Sequence, residues 1–213
     1  GDFNAYEQED PIDTLRADRL PSYGYDAGKT PALTALASES VVFDRAFAHA
    51  PQTLPSHASM FTGLLPFEHK VRDNLGFTLA PGQATLASAF HGAGYTSAGF
   101  VSAYVLRPET GVSQGFDLYD ATLPAAAAEQ APAEIVRNGP ATLKAATEWL
   151  GARPDARVFL FFHIYEPHAP YTPPARFTQP DRYDGEVSYA DEIVGQLLAE
   201  LRRKGWYDAA TIV

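Results

Sequence analysis

The run VFLFFHI at residues 158–164 limits the possible folds more than any other stretch of the chain. Its apolar residues are consecutive rather than alternating, so a strand made of them is covered on both faces. That is the position of a strand inside the parallel sheet of an α/β protein. Helical signals recur around it. Residues 30–40 offer Thr30 as a cap, Pro31 at the first helical position, and Leu33, Leu36 and Ala37 on one face. Residues 83–93 repeat the pattern through Leu86, Ala89 and Phe90, with Gly92 and Gly94 as the stop. Residues 141–152 read as a helix. In residues 183–204, Val187, Ala190, Val194, Leu197, Leu198 and Leu201 form an apolar stripe that ends in Arg202, Arg203, Lys204 and Gly205. Strand patterns are read at residues 41–48, 96–101 and 211–213, and residues 125–133 are a linker or a helix. Helices alternating with buried strands predict a three-layer α/β/α sandwich with a mostly parallel central sheet, as a single domain over residues 1–213. Ligands of such sheets gather at the carboxyl ends of the strands.

A hydrophobic content of 46% supports a sizeable core and excludes a disordered or fibrous chain. A formal net charge of −10 excludes a nucleic-acid partner, which needs a basic face. No run reaches the roughly 18 to 20 apolar residues of a membrane span. With no cysteine, disulfides and thiolate metal sites are ruled out, and so is a cysteine nucleophile.

The segment PQTLPSHASMFTG at residues 51–63 reads as a helix entry, with Thr53 as N-cap and Pro55 in the first turn. A hydroxyl held there meets unpaired backbone N–H groups and the positive end of the helix dipole, where an attacking oxygen and a developing anion are stabilised. The residues alone leave two readings open, since a threonine in this place also serves as a simple cap.

Five blocks then occur in a fixed order: DTLRADRLPSYGY (13–25), TPALTALASESVVF (30–43), TLPSHASMFTG (53–63), VRDN (71–74) and EPHAPYTPP (166–174). Together they resemble the sulfatase-like hydrolases of the alkaline phosphatase superfamily, from Asp13 to the carboxyl end. The resemblance implies a metal-dependent hydrolase of phosphoric or sulfuric esters. Its nucleophile opens a Cys/Ser-x-Pro-Ser/Ala-Arg motif, and in true sulfatases that residue is oxidised to formylglycine. Here Thr53 takes the place. A secondary alcohol oxidises to a ketone and not to an aldehyde, so the expected reaction is direct attack of Thr53 on a phosphate mono- or diester. Sulfate ester hydrolysis is the alternative, and a non-catalytic binding relative of the same fold is the third reading.

The same resemblance implies the other roles. Asp13 matches the first metal ligand and shares a divalent cation with Thr53. An oxygen-rich site favours Mg²⁺, Mn²⁺ or Ca²⁺ over Zn²⁺. The remaining ligands of the family, in an Asp-His-Gly motif, are expected beyond Val213. His57 stands where the family has Arg and, as a cation, is expected to bind the substrate anion. Asn74 resembles a position that reaches substrate oxygens. His168, in EPHAPY, matches a histidine that contacts the anion or protonates the leaving group. The neighbouring His163 is read as structural. The substrate class implied is a small-molecule, glycan-linked or lipid-linked ester, and an extracytoplasmic location is compatible with the lack of cysteine.

Overall fold

The computed structural model describes residues 15–125, 135–153, 157–177 and 179–213. The expectations for Asp13 and for most of the alanine-rich stretch at residues 125–133 fall outside them. The chain groups into two compact units, one of Ala46–Tyr165 and one joining Gly1–Arg45 to Glu166–Val213.

In the first unit, β1 (Thr96–Phe100), β2 (Leu118–Asp120) and β3 (Val158–Phe162) form a parallel sheet in the order β2-β1-β3. Strand β1 is central, and its residues 97–100 are buried, as a two-sided strand requires. Helices cover both faces of this sheet. On one side Phe61 of α2 (Thr53–Thr62) packs edge-on to Phe161, and Phe90 of α4 (Leu86–Gly92) stacks on Phe159. On the other side Trp149 of α5 (Gly139–Gly151) meets Phe100, which is 1% exposed. Burying a phenylalanine to that extent stabilises the unit by about 2 to 3 kcal/mol. The alternation of Phe159 and Phe161 against Phe100 gives the expected three layers. Gly99 is required by its neighbour, since a Cβ there would lie 2.6 Å from the ring of Tyr119, its register partner on β2.

The helix edges follow local chemistry. Thr85 caps α4 by accepting the Ser88 N–H, while the Ser88 hydroxyl accepts from the Thr85 N–H. Asn138 caps α5 through the Ala141 N–H. A four-residue helix, α3 (Pro66–His69), ends with Lys70 in the left-handed region.

The second unit is built on α1 (Pro31–Ser38) and α6 (Arg182–Arg203). Along α6 the residues Val187, Ala190, Ile193, Leu197 and Leu198 are buried, close to the stripe read from the sequence. Thr30 occupies the N-cap position of α1 without a side-chain cap bond. Asp191 of α6 does that work instead, accepting the N–H groups of Ala32 and Leu33 at 3.1 and 2.7 Å.

Two expected strands are not formed. Residues 41–48 are coil, with Val41, Phe43 and Phe47 at 78, 68 and 83% exposure. Residues 211–213 are likewise exposed coil. An apolar pattern becomes a strand only beside a hydrogen-bonding neighbour, and among the described residues neither segment has one. No helix of the described residues is long and apolar enough to cross a membrane.

Candidate active site

Helix α2 starts one residue earlier than its sequence suggests. Gln52, with extended dihedrals, holds the N-cap position, so Thr53 is the first helical residue and not the cap. Gln52 makes no side-chain cap bond. The missing cap comes from a distant loop: Oδ1 of Asn74 accepts the Leu54 N–H at 2.8 Å. Pro55 has no N–H to satisfy, and the Ser56 N–H already bonds Gln52 O. The first turn therefore leaves one donor unspent among the described residues, the N–H of Thr53 itself, beside its own unpaired hydroxyl. Asn74 keeps its amide NH2 for another acceptor.

His57 lies one turn along α2, and its Nδ1 is 2.7 Å from the Thr53 carbonyl oxygen. A carbonyl only accepts, so Nδ1 carries the proton and Nε2 holds the lone pair. Burial pushes the pKa of His57 below the usual imidazole value, and the Thr53 carbonyl offsets this only in part. The cationic His57 expected from the sequence is thus replaced by a neutral imidazole. The cause is its setting, edge-on to Phe161 and His163 with ring centroids 5.7 and 5.3 Å away. His163, a structural residue on the sequence reading, belongs to this ring cluster.

Thr53, His57 and Asn74 are brought together in one unit. His168 lies in the other, on the loop that contains the cis Glu166–Pro167 and Ala169–Pro170 bonds. Its Nδ1 donates to the Ala169 carbonyl at 2.8 Å, which restrains the ring. This loop is tied down where the Thr172 N–H donates to Glu186 Oε1 at 2.9 Å. Glu186 is 5% exposed, and burial raises its carboxyl to about 6.

The serine–histidine pair of Ser59 and His69 has the wrong proton for catalysis. His69 Nδ1 accepts the Val71 N–H, so its Nε2 donates to Ser59 Oγ, 3.0 Å away, and cannot act as base. No group of three potential metal-ligating His, Asp or Glu side chains occurs among the described residues. The unpaired Thr53 hydroxyl is an oxygen donor that fits a hard cation, and Asp13, its expected co-ligand, lies outside the described residues.

Residues 12–213 match the family model described as Sulfatase. Among curated proteins, a Delta 4,5-hexuronate-2-O-sulfatase of Bacteroides thetaiotaomicron is 31% identical over 83 residues, 37% of this chain and 17% of that protein. Among solved structures, the phosphonate monoester hydrolase of Agrobacterium radiobacter matches with a TM-score of 0.72 at 19% identity, over 92% of this chain and 59% of the other. A 2-O GAG sulfatase matches with a TM-score of 0.65 at 18% identity, over 89% of this chain and 52% of the other. The chain thus spans little more than half the length of these structural relatives.

Proposed function

Because the chain belongs to the sulfatase family, we propose that it carries the nucleophile side of an ester hydrolase, and that Thr53 attacks phosphate mono- or diesters directly. The observation that carries the reading is the first turn of α2. It leaves the Thr53 hydroxyl and N–H unspent, while Asn74 and His57 hold the turn from either side.

The chemistry follows from those groups. An aliphatic hydroxyl is too weakly acidic to attack at neutral pH unaided, and a divalent cation held by Asp13 and Thr53 would supply the needed lowering of its pKa. The Thr53 oxygen bonds to phosphorus as the ester oxygen leaves, giving a phosphothreonine that water or an acceptor alcohol then cleaves. Charge on the phosphoryl oxygens meets the helix N-terminus, the Thr53 N–H and the Asn74 amide. Neutral His57 adds no charge, so the positive potential would come from the helix terminus and a bound cation. His168 is assigned the leaving-group proton by its motif.

Sulfate ester hydrolysis is the second reading. It is favoured by the similarity to a protein named a hexuronate sulfatase and by the 2-O GAG sulfatase fold match. It would make a sugar-borne sulfate the substrate. Against it stands the identity of Thr53, which cannot yield a formyl group.

The deciding experiment uses the whole protein with Mg²⁺, Mn²⁺ or Ca²⁺ and three substrates: 4-nitrophenyl phosphate, bis(4-nitrophenyl) phosphate and 4-nitrophenyl sulfate. Turnover of a phosphate ester ahead of the sulfate is expected, with phosphate found on Thr53 by mass spectrometry after acid quench. Loss of activity in Thr53→Ala is expected as well. Preference for the sulfate, or full activity in Thr53→Ala, rejects the phosphoesterase reading.

A further inference from the structure

We propose that His163 is a positioning residue for Thr53, acting through His57; the inference rests on the reading of Thr53 as nucleophile. The argument begins at the Thr53 carbonyl. As the first helical residue, Thr53 has its carbonyl inside the helical hydrogen-bond ladder, and the same oxygen also receives the His57 Nδ1–H at 2.7 Å. The orientation of the His57 ring therefore bears directly on the backbone that carries the attacking oxygen.

Three rings restrain that imidazole. Phe61 sits on the same helix, so it moves with α2 and gives no external reference. Phe161 lies on β3 and His163 just past its end, and among the described residues these two rings tie the imidazole to the sheet. Of these two, His163 is the nearer, with its ring at 73° to that of His57.

His163 is itself fixed from β1. Its backbone N–H donates to Phe100 O at 2.9 Å, which prolongs the β1–β3 ladder. Its Nδ1 accepts the Ser102 N–H at 3.4 Å, which sets the ring plane and assigns the Nε2–H tautomer to the neutral ring. The stack of Phe161 and His163, with centroids 6.4 Å apart, limits rotation further. A continuous line of contacts thus runs from the end of β1 through His163 and His57 to the Thr53 main chain. A sheet is the stiffest reference the unit offers, and a nucleophile needs placement within a fraction of an ångström.

The test uses the whole protein and three variants, with folding checked by circular dichroism and thermal melting. His163→Ala removes ring and acceptor; His163→Asn keeps an acceptor for the Ser102 N–H without the ring; His163→Phe keeps the ring without the acceptor. On the ester that the wild type prefers, His163→Ala and His163→Asn are expected to lower kcat about 10- to 100-fold with KM within about threefold, and His163→Phe to recover most of the loss. In ¹H–¹⁵N spectra the His57 Nδ1 proton is expected to exchange slowly in the wild type, to broaden in the first two variants and to persist in the third. Unchanged kcat and an unchanged His57 proton in His163→Ala overturn the proposal, as does His163→Asn performing like the wild type. Activity surviving in Thr53→Ala condemns the nucleophile assignment instead, and the His57 resonance still reports whether His163 holds that ring.

Discussion

Asn74 reaches across 20 positions of sequence to take the Leu54 N–H, so the cap of the helix that begins with Thr53 is supplied from outside it. The carbonyl end of the Asn74 amide is committed to structure while its NH2 end is free for an anion. Replacing one end at a time separates the two jobs. Asn74→Ala loses both and is expected to destabilise the fold by about 1 kcal/mol, as other N-cap deletions do. Asn74→Asp keeps an acceptor for Leu54 and retains stability in urea melts, yet it sets a carboxylate against an anionic substrate. Its kcat/KM is expected to fall at least as far as that of Asn74→Ala. Equal activity in Asn74→Asp and the wild type would show that the amide never meets substrate.

Glu186 makes the second unit sensitive to mild acid in an unusual direction. Burial, reinforced by the nearby Glu166 charge, raises its carboxyl from 4.5 to about 6, against the pull of the Thr172 N–H. The folded state therefore holds the proton more tightly than the unfolded chain. Below the unfolded value both states are protonated and no penalty exists. As pH climbs through the window between 4.5 and about 6, stability falls by about 2 kcal/mol. Urea unfolding of Glu186→Gln, whose amide oxygen still accepts from Thr172, is expected to lack that fall. Parallel curves for the two proteins would refute the assignment.

Asp191 satisfies the first turn of α1 from α6 with two bonds, at 3.1 and 2.7 Å. Asp191→Ala orphans two helix donors beneath a buried site and is expected to cost about 2 to 3 kcal/mol in urea unfolding. Asp191→Asn keeps one acceptor oxygen and should lose roughly half as much. A loss below the error of the measurement in both would mean that water replaces the carboxylate.

Gly99 and Tyr119 face each other across β1 and β2, leaving no room for a methyl group. Gly99→Ala is expected to displace the Tyr119 ring, break its hydroxyl bond to Leu106 O, now 2.9 Å, and cost about 1 to 3 kcal/mol. The double change Gly99→Ala with Tyr119→Leu should recover part of that loss. A single variant as stable as the wild type contradicts the close contact.

Much of the scaffold could be read from patterns that local physics fixes. The consecutive apolar residues of β3, the helical patterns at residues 83–93 and 141–152 and the stripe along α6 all depend on neighbours a few positions away. Residues 41–48 carried an equally good pattern and form no strand, because pairing depends on a partner that periodicity cannot supply. The site shows the same division. Thr53 was visible as a helix start. The cap on Leu54 came from position 74, and the charge of His57 was set by rings from β3; neither relation leaves a trace in the local sequence. Asp191 replaces Thr30 as the cap of α1 for the same reason.

The parallel register of β1 and β3, from Thr96 against Val158 to Phe100 against Phe162, bears on how the molecule is made. No hairpin can nucleate such a pair. A segment about 60 residues long must close before its first rung forms, an entropic toll that places this topology among slow folders. Ser102 and His163 meet only after that closure, being 61 positions apart. The contact proposed to underpin the Thr53 turn is therefore expected to assemble late, after the helices of the unit.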